Sequence, residues 1–304
     1  MTNSKDGDEM GILLSEIAKR IGIDDSIQFI DERQFDYFAR ATTKITGTKC
    51  IFVADSKYVK IIDNSVSMII TTSDIADALT ERNFGICIAA DVKGTFFELM
   101  SEYERAERQV QHKTIIGNGC IISKKAVISE QNVIIGNNVN IGDFVIIQPN
   151  VTIGDNTIIQ SGAKIGEQDF NVYSYNGVSK QIFHGGKVSI GSNVLISSGV
   201  LVGQALYSYG KTVVGDNSFI GAGTCIGHNT EVGSRCEICG NSMIGGFCKI
   251  GNNSKIFMTV TVANALSIGE NVTVNVGSVV IRDIQDGKTV FGNPAREIVA
   301  PKSK

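Results

Sequence analysis

Histidine is scarce in this 304-residue chain, and its three copies, His112, His184 and His228, are the first candidates for proton chemistry. An imidazole titrates near neutral pH, so one side chain can accept a proton from a nucleophile and return it under the same conditions. His112 lies in a charged stretch and reads as a solvated linker residue. His184 lies in an aromatic-rich segment, where it either touches a ligand or simply packs. His228 stands in Gly223-Thr224-Cys225-Ile226-Gly227-His228-Asn229, just after an aliphatic–glycine pair. Cys225 could accept an acyl group as a thiolate, but it directly precedes an inward-phased Ile226, and packing is the more economical account. Cys236-Glu237-Ile238-Cys239 has CxxC spacing, yet Ile238 keeps the phase of a repeat and no second ligand pair accompanies it. The two cysteines read as small residues on a coil surface. No Ser-His-Asp grouping is indicated, and catalysis is expected to need no metal.

The elements that must carry these residues are set by a step of six. Ile220, Ile226, Val232, Ile238, Ile244, Ile250, Ile256, Val262, Ile268, Val274 and Val280 follow one another at that interval. The same phase runs earlier through Ile190, Ile196, Val202 and Val214; before it come Ile116, Ile122 and Ile128 and then, after a one-residue slip, Ile135, Ile141, Ile147, Ile153, Ile159 and Ile165. Six matches neither the helical nor the strand period. It suits a coil of three short flat faces, each sending one branched aliphatic inward, with glycine after it to turn the corner. The fold class expected is mainly β: a left-handed parallel β-helix with a small N-terminal α/β domain. In such a coil His228 projects outward at a corner.

Two regions differ in texture. Residues 1–108 lack the hexad and read as an α/β domain, with helices expected over 10–21, 73–81 and 95–107 and strands over 49–53, 67–71 and 85–89. Residues 109–304 form the β-helix, interrupted by an excursion at 167–189 that carries Phe170, Tyr173, Tyr175, Phe183 and His184. A loop leaving a rigid coil serves either the site or subunit packing. A smaller irregularity spans 204–211. Stacked coils leave flat outer faces, and three copies around a threefold axis would hide them, so a homotrimer is expected.

Composition narrows the partners. A net charge of −3 gives no electrostatic case for nucleic acid, the N-terminal residues show no secretory signal, and no apolar run could insert in a membrane. Seven scattered cysteines read as reduced thiols, which points to the cytoplasm.

The hexads, the excursion after Ile165-Gly166 and the Ile226-Gly227-His228-Asn229 segment together resemble the UDP-(3-O-acyl)-glucosamine N-acyltransferases of lipid A synthesis, and more broadly nucleotide-amino-sugar N-acyltransferases. The resemblance covers nearly the whole chain. It implies that His228 is the catalytic base and that the backbone N–H of Gly246, one coil of three hexads further on, donates to the oxyanion. It also implies a nucleotide-reading stretch that holds uracil between an aromatic, an Asn and a Tyr. Phe52 and Tyr58 match that pattern, while Asp55 replaces the Asn and can accept but not donate a hydrogen bond. Uracil and thymine both remain open, as does the alternative that the two aromatics pack their own domain.

Two departures separate the chain from the lipid A enzyme. Ala265 stands where members carry a second His, and the C-terminal helical extension is missing. The ending Gly292-Asn293-Pro294-Ala295-Arg296 is instead similar to the closing turn of acetyltransferases that use acetyl-CoA. The expected function is transfer of an acyl group, acetyl foremost, from acyl-CoA to the amine of a UDP- or dTDP-linked amino sugar. The alternatives are the same chemistry with a 3-hydroxyacyl group from acyl carrier protein, and a non-catalytic β-helical scaffold. A nucleotidyltransferase is disfavoured because no Gly-rich phosphate loop opens a helix in the N-terminal domain.

Overall fold

A computed structural model describes residues 11–79, 83–106 and 112–298. The chain divides into two compact units, one of residues 1–107 with 170–183, the other of 108–169 with 184–304. The tip of the excursion, expected as part of the β-helix, thus belongs to the first unit. Its strands Val172–Tyr175 and Val178–Gln181 form an antiparallel hairpin. Glu98 holds that hairpin by accepting from the Tyr173 hydroxyl at 2.5 Å and from Lys180 Nζ at 2.7 Å.

The first unit is a five-stranded sheet with helices. Strands β1 (Ile27–Asp31), β2 (Tyr37–Phe38), β3 (Lys49–Val53), β4 (Val66–Thr71) and β5 (Gly85–Ala89) lie in the order β1-β5-β4-β3-β2, and only β1 runs antiparallel to its neighbour. Helix α1 (Leu14–Ile21) starts later than its spacing predicts, because Ile12 is drawn into a backbone bridge with Phe35. Helix α2 covers only Ser73–Ala76, and the end of the longer helix expected there lies outside the described residues. Helix α3 (Val92–Ala106) starts earlier than expected, since Asp91 Oδ1 accepts from Gly94 N–H at 2.9 Å. Strand β1 and the 3₁₀ helix Ser56–Ile61 carry no clear period and went unforeseen.

The second unit is a left-handed parallel β-helix whose short strands stack into three parallel sheets. The register between coils is eighteen residues: Ile226 pairs with Ile244, and Ile244 with Val262. The irregularities appear as longer steps. Ile116 pairs with Ile135, Ile153 with Ile190 and Ile190 with Val214. The aliphatic columns are closed to solvent and form one continuous core from Val133 to Val290. A second inward column is filled by small residues, many of them polar. Its hydroxyls are satisfied by the adjacent coils: Thr230 Oγ1 donates to Gly245 O at 2.7 Å and accepts from Cys248 N–H at 3.2 Å. Cys236 and Cys248 belong to this column and are fully buried, so Cys236 fills the interior rather than the coil surface. A thiol is small and apolar enough for the place.

The corners work differently from the expectation as well. The residue that turns left-handed is the third after the inward aliphatic, usually Asn, as at Asn229 with φ 57° and Asn241 with φ 57°. Asparagine tolerates that conformation better than most side chains. Apart from Gly166, at φ 84°, the glycine directly after the inward aliphatic has no such φ; its reason is close approach. A Cβ on Gly227 would lie 2.6 Å from Gly246 N, inside the backbone of the next coil. Gly215→Ala, whose Cβ would meet Gly233 C at 2.6 Å, is therefore expected to destabilise the coil by about 1–3 kcal/mol in thermal melts. Gly199→Asn, at φ 67° with open space around it, is expected to change stability by less than about 0.5 kcal/mol. Equal losses would place the requirement in backbone conformation instead of inter-coil distance.

Candidate active site

His228 sits at the corner between the strands Cys225–Ile226 and Glu231–Val232. The eighteen-residue register puts Gly246 above it and Asn264 above that. Elsewhere on the coil a side chain one level up caps the corner N–H, as Asn252 Oδ1 does for Ser234 at 2.8 Å. Gly246 has no side chain to offer. Its bare α-carbon instead leaves room for the imidazole: a Cβ there would stand 2.4 Å from His228 Cε1 and 2.6 Å from Nε2.

The missing cap comes from the excursion. Asp169 Oδ2 accepts from His228 N–H at 3.1 Å and pairs with the ring Nδ1 at 2.7 Å. A carboxylate can only accept, so Nδ1 carries the proton and Nε2 carries the lone pair. Phe247 lies perpendicular to the imidazole with ring centroids 5.2 Å apart, and His184 packs from another side at 5.4 Å. These neighbours leave His228 only 7% exposed. The outward corner residue of the sequence reading is thus enclosed by its own chain, because Asp169 and His184, the two roots of the excursion, flank it.

His184 is fully buried. Its Nδ1–H donates to Gln204 O at 2.9 Å, and Gln168 accepts from its backbone N–H at 2.8 Å. Burial depresses its pKa to about 4, with the positive charge that His228 can carry adding to the effect. The expectation of a direct ligand contact gives way to a neutral packing partner of His228. Burial pushes the Cys225 thiol up to about 11, with the Asp169 charge as the second cause. At neutral pH it is protonated, which removes the case for a thiolate nucleophile. Asp169 was missed in the sequence; the available signal was a carboxylate at the root of the only long break in the hexad.

The Gly246 N–H, expected as an oxyanion donor, donates to Asn264 Oδ1 at 3.0 Å. Phe52 packs against Phe96 and Phe97 of α3, at 5.0 and 6.0 Å between centroids. Asp55 caps the 3₁₀ helix Ser56–Ile61, accepting from Lys57 N–H at 2.9 Å and pairing with Lys57 Nζ at 2.7 Å. The bond to the Lys57 side chain, foremost, holds its carboxyl below the ordinary value. Tyr58 is 47% exposed, with Lys57 Nζ 5.0 Å from its ring centroid. Gly292, Asn293, Pro294, Ala295 and Arg296 make the turn that joins Thr289–Phe291 to Arg296–Glu297. That turn follows a different sheet from the one that leads into the His228 corner. No described helix is long and apolar enough to cross a membrane.

The sequence profile of the bacterial transferase hexapeptide (six repeats) matches residues 132–167 and 211–246, the second stretch containing both His228 and Gly246. No curated protein matches the chain. Among solved structures, the UDP-N-acetylglucosamine O-acyltransferase (LpxA) of Moraxella catarrhalis RH4 is similar at 23% identity and TM-score 0.41, over 59% of this chain and 72% of that one. The Arabidopsis UDP-N-acetylglucosamine acyltransferase is similar at 21% identity and TM-score 0.43, over 62% and 71%. A hexapeptide transferase family protein from Anaplasma phagocytophilum is similar at 16% identity and TM-score 0.32, over 62% and 86%. The fold stands on the registers of the chain itself.

The buried histidine generates a pH prediction. With a folded pKa of about 4 against an ordinary value of 6.5, the unfolded chain binds more protons between those limits. The contribution of His184 to stability is complete above pH 6.5 and is lost as the pH falls toward 4, by roughly 3 kcal/mol at most. His184→Gln is expected to flatten that part of the denaturation-versus-pH curve; an unchanged slope would show that His184 is not the group responsible.

Proposed function

We propose that the chain is an N-acyltransferase that moves an acyl group, acetyl foremost, from acyl-CoA to the amine of a nucleotide-linked amino sugar. The observation that carries this reading is the Asp169–His228 pair seated over Gly246. A primary amine attacking a thioester carbonyl must lose a proton as the N–C bond forms. His228 Nε2 takes that proton while Asp169 holds the ring and steadies the imidazolium. Collapse of the tetrahedral adduct breaks the C–S bond, and the departing CoA thiolate leaves with a proton returned by the imidazolium.

The developing oxyanion needs a donor already in place. Gly246 N–H fills that role when the Asn264 carboxamide turns off it. The segment of Phe52, Asp55 and Tyr58 reads the nucleotide, with the Asp55 carboxylate as an acceptor for a base N–H. The turn of Gly292 to Arg296 serves the CoA end. Exposed Ile121, Ile158 and Phe219 on one outer face support assembly with further copies, as a homotrimer. A cytoplasmic setting fits a nucleotide sugar and acyl-CoA as co-substrates.

The test is CoA release from acetyl-CoA against a panel of UDP- and dTDP-linked amino sugars, with mass detection of the product. One sugar is expected to gain one acetyl group, and folded His228→Ala is expected to lose at least about 10²-fold in kcat. Asn264→Ala, which exposes the Gly246 N–H outright, is expected to keep or raise kcat. A fall of about 10²-fold would pass the oxyanion role to the carboxamide. Turnover only with a 3-hydroxyacyl carrier protein would replace the donor, and no turnover with either donor would leave a β-helical scaffold.

A further inference from the structure

The left-handed corner position is a demand of the coil, and the residue placed there is a choice of the sequence. Among the described residues sixteen non-glycine positions have positive φ, and eleven of them are Asn. Phe247 is one of the exceptions, at φ 60°. A bulky side chain is disfavoured in that conformation, and such departures persist where the surroundings or the function require them. The corner of Phe247 is the one directly above His228. Its backbone N–H donates to His228 O at 2.8 Å, and its ring stands at 89° to the imidazole, 5.2 Å from it.

Asp169 fixes the imidazole at one edge through Nδ1. A hydrogen bond at one ring atom still allows the plane to rock about that bond. The imidazole fills the place that a side chain on Gly246 would take, so no side chain at that position restrains the ring. Phe247 supplies the missing wall. On the reading of His228 as the base, we infer that Phe247 is a positioning residue, held in an unfavourable backbone conformation so that its ring fixes the plane of the imidazole and the direction of its Nε2 lone pair. A near-attack geometry depends on that direction, and a misplacement of about 1 Å can cost on the order of 10²-fold in rate.

The chain holds its own control. Phe144 occupies a left-handed corner at φ 58°, is 63% exposed, and has Lys125 Nζ 5.2 Å from its ring centroid. It carries the same backbone cost with no part in the His228 cluster.

Phe247→Asn and Phe144→Asn should each raise Tm by about 2–4 °C, since Asn suits the conformation better. Only Phe247→Asn should lower kcat, by about tenfold or more, with KM for both substrates within about twofold. Phe247→Tyr, which keeps the ring, should restore kcat. A second measurement does not depend on turnover. With only three histidines in the chain, ¹⁵N-histidine labelling separates them, and the Nδ1–H signal of His228 should be sharp in the parent and broadened or lost in Phe247→Asn. Unchanged kcat together with an unchanged His228 signal overturns the positioning role. A broadened signal in a protein that acylates no amino sugar would leave the role of Phe247 intact and remove the proposed reaction instead.

Discussion

An aliphatic side chain every sixth residue finds burial neither on one helix nor on one strand. It is buried when three short strands close into a coil and the next coil lands on it eighteen residues later. That register fixes everything near His228. It places a residue without a side chain directly above the imidazole, and so decides that the ring has a seat. It also removes the side chain that would cap the His228 N–H, leaving a donor for a carboxylate from elsewhere in the chain. One glycine thus accounts for both the position of the imidazole and its dependence on Asp169.

The excursion is the other half of the arrangement. Its middle, residues 170–183, belongs to the α/β unit, while the residues at its two roots, Asp169 and His184, belong to the β-helix and flank His228. A buried neutral histidine on one side and a carboxylate on the other give His228 a fixed tautomer. In the proposed reaction, the fixed tautomer is the property that would make an ordinary surface-type residue a directed proton acceptor. Phe247 completes the enclosure at a backbone position that would suit Asn better, consistent with local stability being exchanged for geometry at functional sites.

Much of the fold was legible because burial is periodic. The aliphatic columns, the slip beyond Ile128, the excursion and strands β3, β4 and β5 of the α/β unit all follow from where branched residues recur. The pairing of His228 with Gly246 followed from counting one coil. The rest depended on information that no short-range pattern contains. Asp169 reaches His228 across 59 residues of sequence. The engagement of Gly246 N–H by Asn264 depends on a side-chain torsion, not on phase. The glycine after each aliphatic looked like a turn residue, whereas the turn is made two positions later and the glycine answers to the coil above. Asp55 stands at the Asn position of a base-reading pattern while departing from it in type, and local geometry has it capping a 3₁₀ helix, a common use for an aspartate that precedes one.

The central claim is that a carboxylate from the excursion sets the His228 tautomer and so makes Nε2 the base. The most direct measurement is the kcat of Asp169→Asn on the acetyl acceptor, with folding confirmed by an unchanged coil spectrum. An amide can donate to Nδ1 and thereby favour the wrong tautomer, so kcat is predicted to fall by about 10²-fold or more with KM little changed. A kcat within about twofold of the parent would contradict the account, because a base that tolerates either tautomer is not the one this geometry describes.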